Sequence, residues 1–138
     1  MSEYTAAVGL AALARLPQTR ECWQDVTSRY WAALSRSDRF HAPSTNEVTA
    51  SLVVNLGAPH GPIARTLQRS AIDTRSWYGA GCHREPAFAD CPTSRLSVTE
   101  KLAMNTLGLP FFLDITNAEI SRVTEELAAA VAASEAVE

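Results

Sequence analysis

The residues best equipped for chemistry in this chain crowd between Ile72 and Cys91. There the adjacent aromatics Trp77 and Tyr78 meet Arg75, Cys82, His83 and Cys91 around the glycines Gly79 and Gly81. Trp77 and Tyr78 offer flat apolar faces with one polar handle each, suited to stacking on a ring. Arg75 and His83 offer donors for an anion or a sugar hydroxyl. Gly79 and Gly81 bracket Ala80, so the backbone there is free to bend sharply and let a ligand come close. That is the make-up of a ligand-facing loop. The same residues also suit a Gly-rich turn leaving a short strand, with its aromatics packed into the core, and composition alone favours that plainer reading.

Other reactive constellations are weaker. Cys82 and His83 are sequence neighbours, and neighbours in an extended segment point to opposite sides, which places a thiolate–imidazole pair poorly. His41, His60 and His83 are scattered over loops, and with Cys82 and Cys91 their spacings match no usual zinc pattern, so no metal is expected. Lys101 is the only lysine in the chain. It falls at the start of a helix, where a solvated surface lysine is the ordinary case.

Composition narrows the classes. Hydrophobic content of 46% with 20% charged residues is that of a globular protein and argues against disorder. A net charge of −3 and a pI near 5.6 supply no basic field, so nucleic acid is not expected as a partner. No apolar run approaches the roughly 20 residues a bilayer span needs, and the N-terminus lacks the basic start and apolar core of a signal peptide. Three cysteines, an odd number without metal spacing, fit a reducing cytoplasm.

The elements that must position the loop are read from periodicity. Residues 2–16 form a helix that is apolar all the way round, with Tyr4, Ala7, Val8, Leu10 and Leu13 on more than one face, so it needs cover on several sides. Leu16-Pro17-Gln18 breaks it, and Pro17 suits the first turn of a second helix reaching about Ser37, with Trp23, Val26, Tyr30, Ala33 and Leu34 as its stripe. Trp31 sits off that stripe. Asp38 to Asn46 is a polar boundary loop. A period of two from Glu47 to Leu56 predicts a strand. Pro62 opens a short helix whose inner face is Ile63, Leu67 and Ala71. Thr74 to Tyr78 is a second strand. Ser97-x-x-Glu100 reads as a capping box opening a helix to about Asn105, and Leu109 to Leu113 as a third strand with Pro110 at its start. Thr116-x-x-Glu119 is a second capping box, flanked by the staple pair Ile115 and Ile120, and the last helix buries Ile120, Val123, Leu127, Ala130 and Val131. The expectation is a single domain over 1–138: a helical segment over 1–37, then an α/β (α+β) sandwich over 47–138.

The run Thr74-Arg75-Ser76-Trp77-Tyr78-Gly79-Ala80-Gly81-Cys82-His83, followed by Pro86-Ala87-Phe88, resembles the C-terminal segment of the DegT-like sugar-nucleotide aminotransferases. These are fold-type I enzymes that use pyridoxal phosphate. Met1 to Leu10 is similar to the family's helix after the cofactor region, and Leu96 to Glu100 with Leu107-Gly108-Leu109-Pro110 resemble its late helix and final short strand. The resemblance covers nearly the whole chain in order. It implies the small C-terminal domain of such an enzyme, about its last third: a short three-stranded sheet with packed helices, preceded by two long helices.

Carried over residue by residue, the resemblance transfers no catalytic group. The family's Schiff-base lysine, its pyridine-nitrogen carboxylate and its phosphate-binding hydroxyls all match positions upstream of Met1, and Lys101 matches none of them. What it does imply is substrate recognition by Arg75, Trp77, Tyr78 and His83, in an enzyme that aminates a 4-keto-6-deoxy sugar on a nucleotide. Arg75 is equally suited to pinning the loop. Pyridoxal phosphate is then expected in the complete enzyme and not in this chain alone. Three functions follow: an incomplete aminotransferase inactive by itself, one half of a split enzyme, or a non-enzymatic module that binds a nucleotide sugar or docks on a relative. Residues 2–16 are expected to meet a second copy or a complementary aminotransferase chain, and a compact monomer would instead favour the module.

Overall fold

The computed structural model describes residues 2–37, 48–77 and 79–136. The boundary loop read at Asp38 to Asn46 lies outside them.

One helix stands where two were expected. Helix α1 runs from Glu3 to Leu34 with Pro17 inside it, and Ser2 caps it by accepting from the Thr5 amide at 3.2 Å. An interior proline removes one N–H and leaves the carbonyl four residues back, that of Leu13, without its helical partner. Ala14, Arg15, Leu16, Gln18 and Arg20 around it are good helix formers. Leu13 and Leu16 are 64% and 47% exposed, so water can reach the orphaned carbonyl. The helix continues.

The second half of α1 buries the predicted stripe: Val26, Tyr30 and Leu34 are inside, with Trp23 and Ala33 half-buried and Trp31 half-buried off the stripe. Trp23 stacks on Phe111 with ring centroids 4.9 Å apart. The Tyr30 hydroxyl donates to the Pro110 carbonyl at 2.5 Å. Burial first, then the negative charge of Glu119, pushes its phenol above the usual tyrosine range.

The last helix, α4, spans Asn117–Glu135 and matches its reading closely. Thr116 accepts from the Glu119 amide at 3.2 Å while the Glu119 carboxylate accepts from the Thr116 amide at 2.7 Å, a complete capping box. Ile115 and Ile120 are both buried, as the staple requires, and the stripe Ile120, Val123, Leu127, Ala130, Val131 is inside, joined by Thr124. Arg29 ties α1 to this start: it pairs with Asp25 on its own helix and donates to the Ile115 carbonyl at 2.9 Å and to Asn117 Oδ1 at 3.1 Å.

Among the described residues two strands replace the expected three. β1 (Leu52–Asn55) and β2 (Thr106–Leu109) pair antiparallel, with Leu52 opposite Leu109 and Val54 opposite Leu107. The chain turns after β1 at Gly57, whose φ of 69° needs glycine and whose amide is held by Asn55 Oδ1 at 3.0 Å. The final strand lies at 106–109 and not 109–113 because Pro110 has no N–H to give a ladder and ends the strand. Of the strand expected at 74–78, the described residues 74–77 form a single bridge, Arg75 to Gly108, and Tyr78 lies outside the described residues. The α/β (α+β) class stands, with fewer strands among the described residues.

Two further readings change. Helix α2 is His60–Arg69, starting before Pro62, and it buries Ile63 and Leu67. Ala71 lies past its end with φ 53° and is exposed, so Ile72 takes the buried place. Helix α3, Ser97–Asn105, has no capping box. Leu96 holds the cap position, Ser97 is already helical, and Glu100 is committed elsewhere.

One core joins these parts. The inward residues Leu52, Val54, Leu107 and Leu109 pack with Ile63 and Leu67, the α4 stripe and the second half of α1. α2 is also clipped to α4 by Ser70, whose hydroxyl donates to Glu126 at 2.8 Å and whose carbonyl accepts from Arg122. Among the described residues no helix is long and apolar enough to cross a membrane.

Thr116→Ala is expected to lower unfolding stability by about 1 kcal/mol, read as a lower urea midpoint at unchanged slope. The Thr116 amide first, then its hydroxyl, hold the Glu119 carboxyl below its usual range. Since the folded value is depressed, that contribution is present above the ordinary glutamate range and is lost as pH falls through the folded value. The gap between wild type and Thr116→Ala should therefore narrow in acid.

Candidate substrate cleft

The alternation that buries Leu52 and Val54 turns Val53 and Asn55 to the other face of the sheet, beside Thr106 and Gly108 of β2. That face is the floor of a cleft of about 1020 Å³. α3 forms one wall with Thr99, Leu102 and Ala103, and the loop from Trp77 to Glu85 forms the other.

Glycines set the loop in place. Arg75 exchanges both backbone hydrogen bonds with Gly108, donating at 3.0 Å and accepting at 2.7 Å. This lays the next aromatic over the strand: a Cβ on Gly108 would stand 2.3 Å from the Trp77 indole Nε1 and 2.5 Å from its Cδ1. Only glycine leaves room for that ring. The Arg75 guanidinium lies over the same indole, 5.3 Å from its centroid, a cation–π contact. Further on, Gly81 is buried with φ 96°, and a Cβ there would meet the His83 ring at 2.7 Å. Both its backbone angle and its neighbour demand glycine.

Cys82–Arg84 then makes a short 3₁₀ turn. His83 Nε2 stands 3.4 Å from Glu100 Oε1 on α3, and Arg84 donates to the same oxygen at 2.5 Å. The Arg84 hydrogen bond first, then that of His83, holds the Glu100 carboxyl below its usual range. The loop is thereby tied to α3.

Of the four residues singled out from the sequence, Trp77 and His83 line the cleft. Arg75 reaches it through Trp77 and through its backbone bridge. Tyr78 lies outside the described residues. The sequence reading missed Glu100, which it assigned to a capping box, and Gly108. A glycine inside a strand marks close approach by another group, so Gly108 carried a usable signal. Glu100 carried none, because its partners lie 16 and 17 residues away. Cys22, Cys82 and Cys91 are free thiols, and Cys82 lies at the cleft. Among the described residues no three His, Cys, Asp or Glu side chains gather as a metal would require.

A seat for pyridoxal phosphate needs a lysine amine, an acid at the pyridine nitrogen and a phosphate cradle. Lys101, the single lysine, is exposed on α3 and does not line the cleft. The residues present do not fit the cofactor. What they offer is an aromatic face, an imidazole, a thiol, the Glu85 carboxylate, and carboxamide and hydroxyl groups among apolar side chains, a lining of the kind ligand sites have.

The profile of the DegT/DnrJ/EryC1/StrS aminotransferase family matches residues 1–128, and the chain belongs to that family. No curated protein matches it by sequence. Among solved structures it is similar to a Bacillus cereus protein assigned as a PLP-dependent aminotransferase, at 19% identity and a TM-score of 0.85, covering 93% of this chain and 37% of that one. The aminotransferase TlmJ from Streptoalloteichus hindustanus gives 25% identity and a TM-score of 0.75 over 93% and 36%. DesI, solved in the presence of its TDP-sugar product, gives 23% and 0.81 over 99% and 38%. The chain thus spans little more than a third of the length of these structures.

Gly108→Ala is expected to drive the indole off the strand. Trp77 would swing into water, and tryptophan emission should move to the red. The same substitution in a Trp77→Phe background should leave the emission of Trp23 and Trp31 in place. Unchanged emission in the first variant would show that the ring does not rest on Gly108.

Proposed function

We propose that this chain is the substrate-recognising C-terminal part of a nucleotide-sugar aminotransferase, one that transfers an amino group to a 4-keto-6-deoxy sugar on a nucleotide. The observation that carries the reading is the cleft itself, with Trp77 and His83 fixed at its edge by Gly108 and Gly81 in a chain of this family. DesI, which shares the fold, was solved with a TDP-sugar product. In this reading Trp77 stacks on a flat part of the ligand, and His83 and Tyr78 bond its sugar or phosphate oxygens. Arg75 holds Trp77 in place.

The lysine and cofactor cradle of the complete enzyme then come from polypeptide other than these 138 residues. The 138-residue chain by itself is inactive. Mixed with pyridoxal phosphate it should give only weak colour that dialysis removes. A band that survives dialysis and disappears in Lys101→Ala would refute the placement of Lys101 outside the chemistry. Binding tests the recognition half: titration of thymidine and uridine diphosphate sugars, followed by tryptophan fluorescence, should show saturable binding. Trp77→Ala should weaken it roughly tenfold, the scale of one lost aromatic contact. Wild-type chain that binds neither would remove the proposal.

A second reading rests on α1. Tyr4, Val8, Leu10 and Leu13 are 80%, 53%, 68% and 64% exposed. Burial of one Val or Leu side chain stabilises by roughly 1.5–3 kcal/mol, so a partner covering this segment gains several such increments. That supports a chain that docks, either on a second copy or on a complementary aminotransferase chain as half of a split enzyme. A non-enzymatic nucleotide-sugar module docking on a relative would use the same surface. Sedimentation equilibrium should give a mass above that of the monomer, and polar residues in place of Leu10 and Leu13 should return it to the monomer with the fold retained. A monomer at high concentration, unchanged by those substitutions, would argue for a self-sufficient module.

A further inference from the structure

We propose that Glu100 is a positioning residue for the cleft: its carboxylate holds the His83 ring by Nε2 against Gly81, leaving Nδ1 as the ring nitrogen available to a ligand hydroxyl. The ligand class rests on the function proposed above; the positioning role does not.

Three features fix the imidazole. An ionised carboxylate only accepts hydrogen bonds, so at the 3.4 Å contact with Glu100 the Nε2 carries the proton. The adjoining Cε1–Nδ1 edge of the ring lies over Gly81 so closely that a Cβ would stand 2.7 Å and 2.9 Å from those atoms. The side chain is only 13% exposed, which leaves little room for another rotamer. With Nε2 committed, Nδ1 serves a hydroxyl in either charge state, because a hydroxyl both donates and accepts. A carboxylate that orients an imidazole through one nitrogen and leaves the other to act is a recurrent arrangement in binding and catalytic sites.

Glu100 suits this task because it stands on the scaffold and His83 does not. It sits in the first turn of α3, where the helix dipole favours a negative charge. α3 runs straight into β2, and its Met104 carbonyl is held by His60 Nδ1 of α2 at 2.7 Å. His83 sits in a 3₁₀ turn on an irregular loop. Arg84 grips the same Glu100 oxygen from an exposed position, which keeps the carboxylate in place but does not reach the ring. The plainer alternative is that Glu100 only ties down the loop, with Arg84 as the link that matters. The two differ in which partner His83 depends on.

The test is an NMR measurement on the full labelled chain, reading the cross-relaxation between His83 Hε1 and the Gly81 Hα protons. It should be present in the wild type and in Arg84→Gln, and lost in Glu100→Gln while backbone dispersion elsewhere is retained. Persistence in Glu100→Gln, or loss already in Arg84→Gln, overturns the proposal. Should Glu100→Gln fail to fold, Glu100→Asp keeps the charge but withdraws it by one methylene. It should weaken the signal, and an unchanged signal again overturns the proposal. A binding cycle with dTDP-glucose adds the ligand arm: Glu100→Gln and His83→Asn should each weaken binding about tenfold, and the double variant no further than the worse single. Additive losses would show that Glu100 does not act through His83. If the wild type binds no dTDP-glucose, the proposed function falls, and the cross-relaxation alone decides the role of Glu100.

Discussion

A two-stranded sheet is marginal in water, and everything in this chain follows from having to support one. β1 and β2 are four residues each, too short to bury much surface between themselves. The inner face is secured by three helices, with Leu52, Val54, Leu107 and Leu109 locked against α1, α2 and α4. That core fixes the strand register, because a slip of one residue would exchange Leu52 and Val54 for Val53 and Asn55. It thereby also fixes which residues face the other way. The cleft floor is the consequence of a core on the opposite side.

The outer face is held by fewer and more polar contacts. A single bridge at Arg75 brings the loop to the sheet edge, Gly108 gives the Trp77 ring a place to lie, and one carboxylate on α3 gathers His83 and Arg84. These contacts are exposed or half-exposed, where ion pairs contribute little to stability. Their value is geometric. Stability comes from the apolar inner face, which leaves the outer face free to carry groups chosen for what they contact.

The two Ser/Thr-x-x-Glu motifs show what local sequence can and cannot disclose. Thr116 to Glu119 folds as a capping box because Ile115 and Ile120 are both drawn into the core, so the entry of α4 is fixed by packing as well as by hydrogen bonds. Ser97 to Glu100 has the same spacing, yet no staple pair brackets it: Leu96 takes the cap position and the carboxylate goes to the loop. The stripe of α4 and the second half of α1 were readable because their periodicity extends over several turns. The continuity of α1 through Pro17 was not, because a proline signals a break locally while good helix formers on both sides and solvent at the orphaned carbonyl decide otherwise. The strand expected from Thr74 is a single bridge over its described residues for a similar reason. Nothing in Thr74 to Trp77 reveals that Gly108 can pair with only one of its residues. Trp77 and His83 were readable as cleft residues, and Glu100 was not, because the contact that gives it a role is tertiary.

The unequal halves of α1 bear on how such a chain divides its work. From Trp23 onward the helix belongs to the core; from Glu3 to Cys22 almost every residue faces outward, apolar ones included. The same polypeptide carries a cleft suited to recognition and a lone, exposed lysine that does not line it. Recognition and reaction chemistry can be separate parts grafted on one fold, and the proposed function separates them here: the cleft is lined by residues of β1, β2, α3 and the glycine loop, and none of its lining residues comes from the outer half of α1. On the proposed reading, that half is where the reacting part of the enzyme is joined on. A chain built this way can hold its ligand-facing groups in place before the chemistry is brought to them, since the core that orients Trp77 and His83 lies on the other side of the sheet.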